Sequence, residues 1–232
     1  PLTLAIAGGM VADNPGSLTD EVVEIMKEDH LREEDDEGES GMSLEQRIIE
    51  SSLKMIKGKN RELVLKVFNF FAVFAEDVAV PAGFFNVFAP VLSDDKSPKK
   101  SKFAVGNALS TLLKYNLLKG GLAESAGTFM HDIVRDYVIS KHADDELKAL
   151  QNQVVQTLLD ARPEGGFPTA EHSTATSFEG YVARHVFWHM RGALAVGKNL
   201  EAPPEGWIVH DQDEAVLRAV ALAMGHGKLV AL

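Results

Sequence analysis

Three groups of residues have types and spacing that could do chemistry. The first is Met130-His131-Asp132, where an imidazole stands beside a carboxylate. Imidazole titrates near neutrality and can donate a hydrogen bond to an anion. A lone histidine at a helix start is nevertheless more often a structural hydrogen bonder than a ligand contact. The second group is His185 and His189, four residues apart and so able to share one helical face. A zincin-type site needs glutamate after the first histidine, where Val186 stands, so the pair reads as packing histidines. The third is Lys96, Lys99, Lys100 and Lys102, ahead of a helix carrying Asn107, Ser110, Thr111 and Lys114. That helix has no arginine for bidentate contact with guanine. With a net charge of −11, the lysines read as a solvated loop and nucleic acid is not the expected partner.

Absent motifs narrow the chemistry further. The chain contains no cysteine, which excludes disulfides, zinc ribbons and thiol catalysis. The acidic run Glu33, Glu34, Asp35, Asp36, Glu37 and Glu39 lacks the alternation of a calcium loop and reads as solvated. No metal ligand set is expected. Gly227-Lys228 is followed by leucine, and Leu222 occupies the place of the first glycine of a phosphate loop. Without a phosphate cradle, phosphoryl transfer has no positioned substrate. No G-x-S-x-G, H-E-x-x-H or G-x-G-x-x-G occurs either. This chain by itself is expected not to be an enzyme.

The elements that must position these groups are almost all helical. Apolar residues at 105, 108, 109, 112, 113 and 117 predict an amphipathic helix ended by Lys119-Gly120-Gly121. A short hairpin follows from Leu122 to Met130, turning at Ser125-Ala126-Gly127. His131 to Ser140 is a helix with Ile133, Val134, Tyr137 and Val138 on one side. Helix, wing, helix is the layout of a winged-helix domain. Upstream, Pro1–Val11 reads as a short apolar helix and 20–31 as a helix capped by Thr19. Ser43 and Gln46 have capping-box spacing for a helix carrying Ile48, Ile49, Leu53 and Ile56, stopped at Gly58. Glu62–Phe74 and Pro81–Leu92 read as buried helices, with Ser93–Lys102 a loop. Downstream, Leu147, Leu150, Val154, Leu158 and Leu159 form a stripe. Phe178–Leu194 is a helix with Tyr181, His185, Trp188 and Gly192 on one face, and 213–223 is a last helix. The expected fold is all-α in three parts: a helical bundle over 1–58, a winged-helix domain with a short β wing over 59–142, and a helical arm over 143–232.

Three phrases, in this order, carry a family resemblance. Pro1-Leu2-Thr3-Leu4-Ala5 resembles the Gly-Leu-Pro-Leu-Ala-Leu signature of NB-ARC proteins without its first two residues. Phe71-Ala72-Val73-Phe74-Ala75-Glu76-Asp77-Val78-Ala79-Val80-Pro81 resembles their phrase at the start of the winged helix, with Ala75 for the usual proline. Met130-His131-Asp132 is identical to their MHD signature. The resemblance is to the STAND signal-transduction ATPases, covers about 1–142, and continues more weakly beyond. It implies the regulatory portion of an ADP/ATP-dependent molecular switch. By the same resemblance His131 would hydrogen-bond the β-phosphate of ADP, Pro1 would lie against the adenine, Met130 would pack, and Asp132 would order the turn. The phosphate loop and the Mg²⁺-binding acids belong to an upstream nucleotide-binding domain of the same chain. An opening proline inside a helical phrase fits a start within a longer protein. The resemblance further implies a cytoplasmic protein, without membrane contact, that forms homo-oligomers when activated. The competing readings are a winged-helix DNA-binding regulator and a passive protein-interaction scaffold.

Overall fold

Aromatic residues between Phe68 and Phe88 build the centre of the molecule, because flat rings interlock edge-to-face at high density. The computed structural model describes residues 5, 6, 8, 9, 43–93, 95, 97–123, 126–161 and 176–194. Expectations for Pro1, for 10–42, for 162–175 and for 195–232 lie outside the described residues.

Ser43 opens α1 (Leu44–Met55) with a complete capping box, its hydroxyl accepting from Gln46 N and the Gln46 side chain accepting from Ser43 N. Ile48 and Ile49 face the core, and the helix ends three residues before Gly58, at an extended Ile56. α2 (Arg61–Phe70) runs into a 3-10 turn, Phe71–Val73. The chain then reverses over Asp77, in the left-handed region, into β1 (Val80–Pro81). α3 (Ala82–Leu92) follows with Phe84, Phe85 and Phe88 buried. Phe84 stacks on Phe88 at 4.3 Å and meets Phe74 edge-on at 5.2 Å.

α4 spans Pro98–Lys114, which corrects the expected loop over 93–102. Proline at the first helical position loses no hydrogen bond. The buried Ser101 hydroxyl donates to Asp95 O at 2.7 Å, tying the first turn down. Lys99, Lys100 and Lys102 are therefore helical and exposed. The other end is corrected too. Asn116 (φ 55), not the glycine pair, stops α4. Leu117 N donates to Leu112 O and Asn116 N to Leu113 O, the paired bonds of a Schellman cap. This frees Gly120 for the wing. β2 (Lys119–Gly120) and β3 (Gly127–Phe129) pair antiparallel, and β1 pairs with the other edge of β3, giving the order β1-β3-β2.

Gly120 has φ 89, and a Cβ there would lie 1.9 Å from Gly127 O. Gly120→Ala should cost about 1–2 kcal/mol, limited because so short an edge can shift. Gly106, helical with open space around it, should gain up to about 1 kcal/mol on replacement by alanine. Urea midpoints of the two variants should therefore move in opposite directions.

α5 (Asp132–Ser140), α6 (Asp144–Asp160) and α7 (Phe178–Leu194) complete the described chain. Ile133, expected on the buried side of α5, is exposed; Val134, Tyr137 and Val138 carry its contact with the core. The fold is all-α with a short three-stranded wing. The order α2, β1, α3, α4, β2, β3 is that of a winged helix, with α6 and α7 following. Val154, Leu158, Tyr181 and Val182 join the same core as the phenylalanines. At the other end Ala5, Ile6, Gly8 and Gly9 are helical, and Asn116 Nδ2 donates to Ala5 O at 2.8 Å. Among the described residues no helix is long and apolar enough to cross a membrane.

Candidate functional site at the start of α5

His131 is the N-cap of α5, in extended backbone (φ −65, ψ 145), with its carbonyl already accepting from Arg135 N. Its side chain does not cap the helix. Instead Nδ1 lies against Asp132 Oδ1. That same oxygen accepts from Ile133 N at 2.7 Å, so Asp132 holds the first turn and abuts the ring, whose Nδ1 is buried without a hydrogen-bond partner. The side chains of His131 and Asp132 are 39% and 47% exposed. Met130, one residue earlier, is buried in the core. The phrase thus divides at its first residue: methionine anchors, histidine and aspartate face outward.

The rest of α5 is tied down firmly, which gives the exposed turn a fixed platform. Arg135 Nε donates to Phe74 O at 2.7 Å. Tyr137 OH donates to Glu50 Oε1 at 3.2 Å, and Lys141 Nζ reaches the same oxygen at 2.8 Å. The Lys141 bond holds the Glu50 carboxyl below its usual range, while burial, with Glu50 adding to it, pushes the Tyr137 hydroxyl up. The positive end of α5 already carries a carboxylate, since Asp132 Oδ1 accepts from Ile133 N there. The arrangement thus puts an imidazole and a carboxylate side by side on the half-exposed start of a seated helix.

The other two groups separate in the structure. His189 is fully buried, with Nε2 2.9 Å from Tyr181 OH and Nδ1 2.8 Å from Gln151 Oε1. Both ring nitrogens are occupied by protein. His185 lies over the Tyr181 ring at 4.8 Å. Among the described residues no group of three or more His, Asp or Glu is arranged to hold a metal ion. The lysines line an exposed face of α4 together with Phe103, which is 72% exposed; Lys96 lies outside the described residues, as does Pro1.

Two residues that matter here escape the sequence patterns. Arg135 has no signal, since nothing local indicates that its guanidinium reaches back sixty-one residues to Phe74. Gln151 has one: it interrupts the α6 stripe at a position that should be apolar, between Leu147 and Val154. A polar residue on a buried stripe must find a partner.

The chain matches no protein-family model, and no curated protein matches it.

Proposed function

We propose that this chain is the regulatory portion of an ADP/ATP-dependent STAND molecular switch, located in the cytoplasm, whose winged helix senses the nucleotide through His131. One observation carries the reading. His131 and Asp132 form the half-exposed first turn of a helix held by Arg135 on Phe74 O, by Tyr137 on Glu50 and by the buried Val134 and Val138. A ligand on that turn is felt by the whole winged helix. With Nδ1 against Asp132, Nε2 is the nitrogen left to approach a phosphate, and it donates only when it carries a proton. In the ADP-bound form this donor ties the winged helix to the upstream nucleotide-binding domain and keeps the protein closed. Exchange for ATP releases the tie and allows homo-oligomerisation. Mg²⁺ and the phosphate cradle belong to the upstream domain, so the chain alone has no phosphoryl-transfer chemistry. Calorimetry and turnover assays on the isolated chain should show neither hydrolysis nor micromolar ATP binding. Micromolar affinity here would remove the division of labour on which the reading stands. Nucleotide release by the complete protein with His131 altered is the direct test.

The winged-helix DNA-binding reading gains one observation of its own. Lys99, Lys100 and Lys102 lie on α4, whose first turn carries no acid, and lysines at a helix N-terminus oppose its dipole. The switch reading predicts no sequence-selective duplex binding at physiological salt. Salt-titrated binding after an unbiased site selection separates the two. A nanomolar site whose affinity falls steeply with salt would favour the DNA reading.

A further inference from the structure

The polar centre of the molecule lies where α6 and α7 meet the 3-10 turn, and its proton positions are fixed by elimination. Gln151 Nε2 donates to Val73 O at 2.8 Å, because a carbonyl can only accept. The other end of that amide, Oε1, must then accept, so His189 Nδ1 carries the proton between them at 2.8 Å. His189 Nε2 is left bare and accepts from Tyr181 OH at 2.9 Å. Trp188 Nε1 fills the second lone pair of Val73 O at 2.8 Å. Gly192 leaves the room this needs, since a Cβ there would lie 2.7 Å from Gln151 Cγ and Cδ. Every group is satisfied, and only with a neutral imidazole.

We propose that His189 is an acid-sensitive latch: neutral, it completes the chain that seats the α6–α7 pair on the Val73 carbonyl, and protonated, it releases the pair. α6 and α7 pack chiefly on each other and meet the remainder through α3, the 3-10 turn and β1. Their seam with the rest also includes Val154, Leu158, Tyr181 and Val182, which share the core with the phenylalanines, so release of the pair uncovers Phe74 and Phe84. A proton on Nε2 turns acceptor into donor and leaves the Tyr181 hydroxyl hydrogen without an acceptor, since His189 is its hydrogen-bond partner. The new charge sits between the Phe74 and Phe84 rings, at 5.8 and 6.2 Å. From α6 it faces neutral Gln151, from α3 only Phe84, and from the 3-10 turn the Val73 carbonyl. α5 contributes Arg135, its guanidinium 5.9 Å from the Trp188 ring. α7 itself contributes His185, with Arg184 beside it. Arg135, Arg184 and His185 are basic, and the Tyr181 phenol, the acidic group bonded to His189, is kept protonated by burial.

Burial, and secondarily His185, pushes His189 down to about 3; burial and Arg184 push His185 down to about 4. Folded values below the unfolded one mean that seating is complete above about pH 6.5 and weakens as pH falls through the interval toward 3 to 4. One histidine can change the docking equilibrium by at most about tenfold per pH unit. His185 steepens the change where both titrate. The latch is independent of the nucleotide reading.

The experiment uses the full chain with Trp207→Phe, which leaves Trp188 as sole tryptophan. Trp188 emission and amide exchange protection are followed from pH 7.5 to 4. The expected result is a red shift and at least a tenfold loss of protection in α6 and α7, while α2 to α4 stay protected. His189→Gln and His185→Gln should each remove about half of the response on a logarithmic scale, and the double variant should flatten it. Loss of protection in α2 to α4 in step with α6 and α7 would mean general acid unfolding and overturn the latch. An unaltered pH response in His189→Gln would overturn it too. Should that variant be undocked at pH 7.5, the histidine ring resonances of the Trp207→Phe protein decide. His189 titrating near 6.5 while Trp188 stays buried overturns the proposal; titration only in step with the Trp188 transition supports it.

Discussion

Phe84→Ala is expected to lower the unfolding free energy by about 3–5 kcal/mol, a large part of a typical domain's stability. The Phe84 side chain is fully buried. It stacks on Phe88 at 4.3 Å and meets Tyr181 at 5.0 Å and Phe74 at 5.2 Å. These partners come from α3 itself, from α7 and from the segment after the 3-10 turn. Removing the ring therefore opens a cavity walled by three separate segments, none of which can collapse alone. Rings meeting edge-to-face also lose a favourable quadrupole contact beyond the lost burial. Phe103→Ala is the control, because that ring is 72% exposed and its loss should change stability by no more than about 0.5 kcal/mol. Urea denaturation read by far-ultraviolet circular dichroism and by tryptophan emission gives both numbers. A Phe84→Ala cost below about 1.5 kcal/mol would show that the ring cluster is not the keystone described above.

Much of this fold is legible in the residues, and the failures have physical causes. The capping box at Ser43 and the Phe178–Leu194 helix are where periodicity and cap chemistry place them. The first turn of α4 is hidden because Lys99, Lys100 and Lys102 break the apolar period, although Pro98 is a recognised helix opener. Its end is mistaken for Gly120-Gly121 because glycine is the commoner left-handed residue; Asn116 does that work, and Gly120 is needed for the wing crossing. β1 is two residues long and includes a proline, too short for any alternation to register. Of the candidate site, the sequence indicates that His131 starts a helix. It cannot indicate that Arg135 and Tyr137 lock that helix to Phe74 and Glu50, because such bonds depend on the packed fold.

If the proposed switch reading holds, then in a protein that also carries the phosphate loop His131→Ala and Asp132→Val should each weaken the ADP-bound closed state by about 1–3 kcal/mol. His131→Ala removes the donor proposed to reach the β-phosphate. Asp132→Val removes the oxygen against which Nδ1 rests and which accepts from Ile133 N, so the imidazole loses its orientation although it is still present. On the proposed reading the ATP-bound open state makes neither contact and should be little affected. That difference is what moves the equilibrium, since equal weakening of both states would shift nothing. A loss of 1.4 kcal/mol changes a population ratio about tenfold, so ADP release should quicken and the oligomeric fraction should rise measurably. The helix itself should survive both changes, because Val134, Tyr137 and Val138 remain buried and Arg135 still reaches Phe74. Stopped-flow release of a fluorescent ADP analogue, with sizing chromatography on the same samples, measures both consequences. A well-folded His131→Ala protein that releases ADP at the wild-type rate would leave His131 a structural N-cap residue. Faster release in His131→Ala with wild-type release in Asp132→Val would instead locate the contact on the imidazole and deny the carboxylate any part in orienting it.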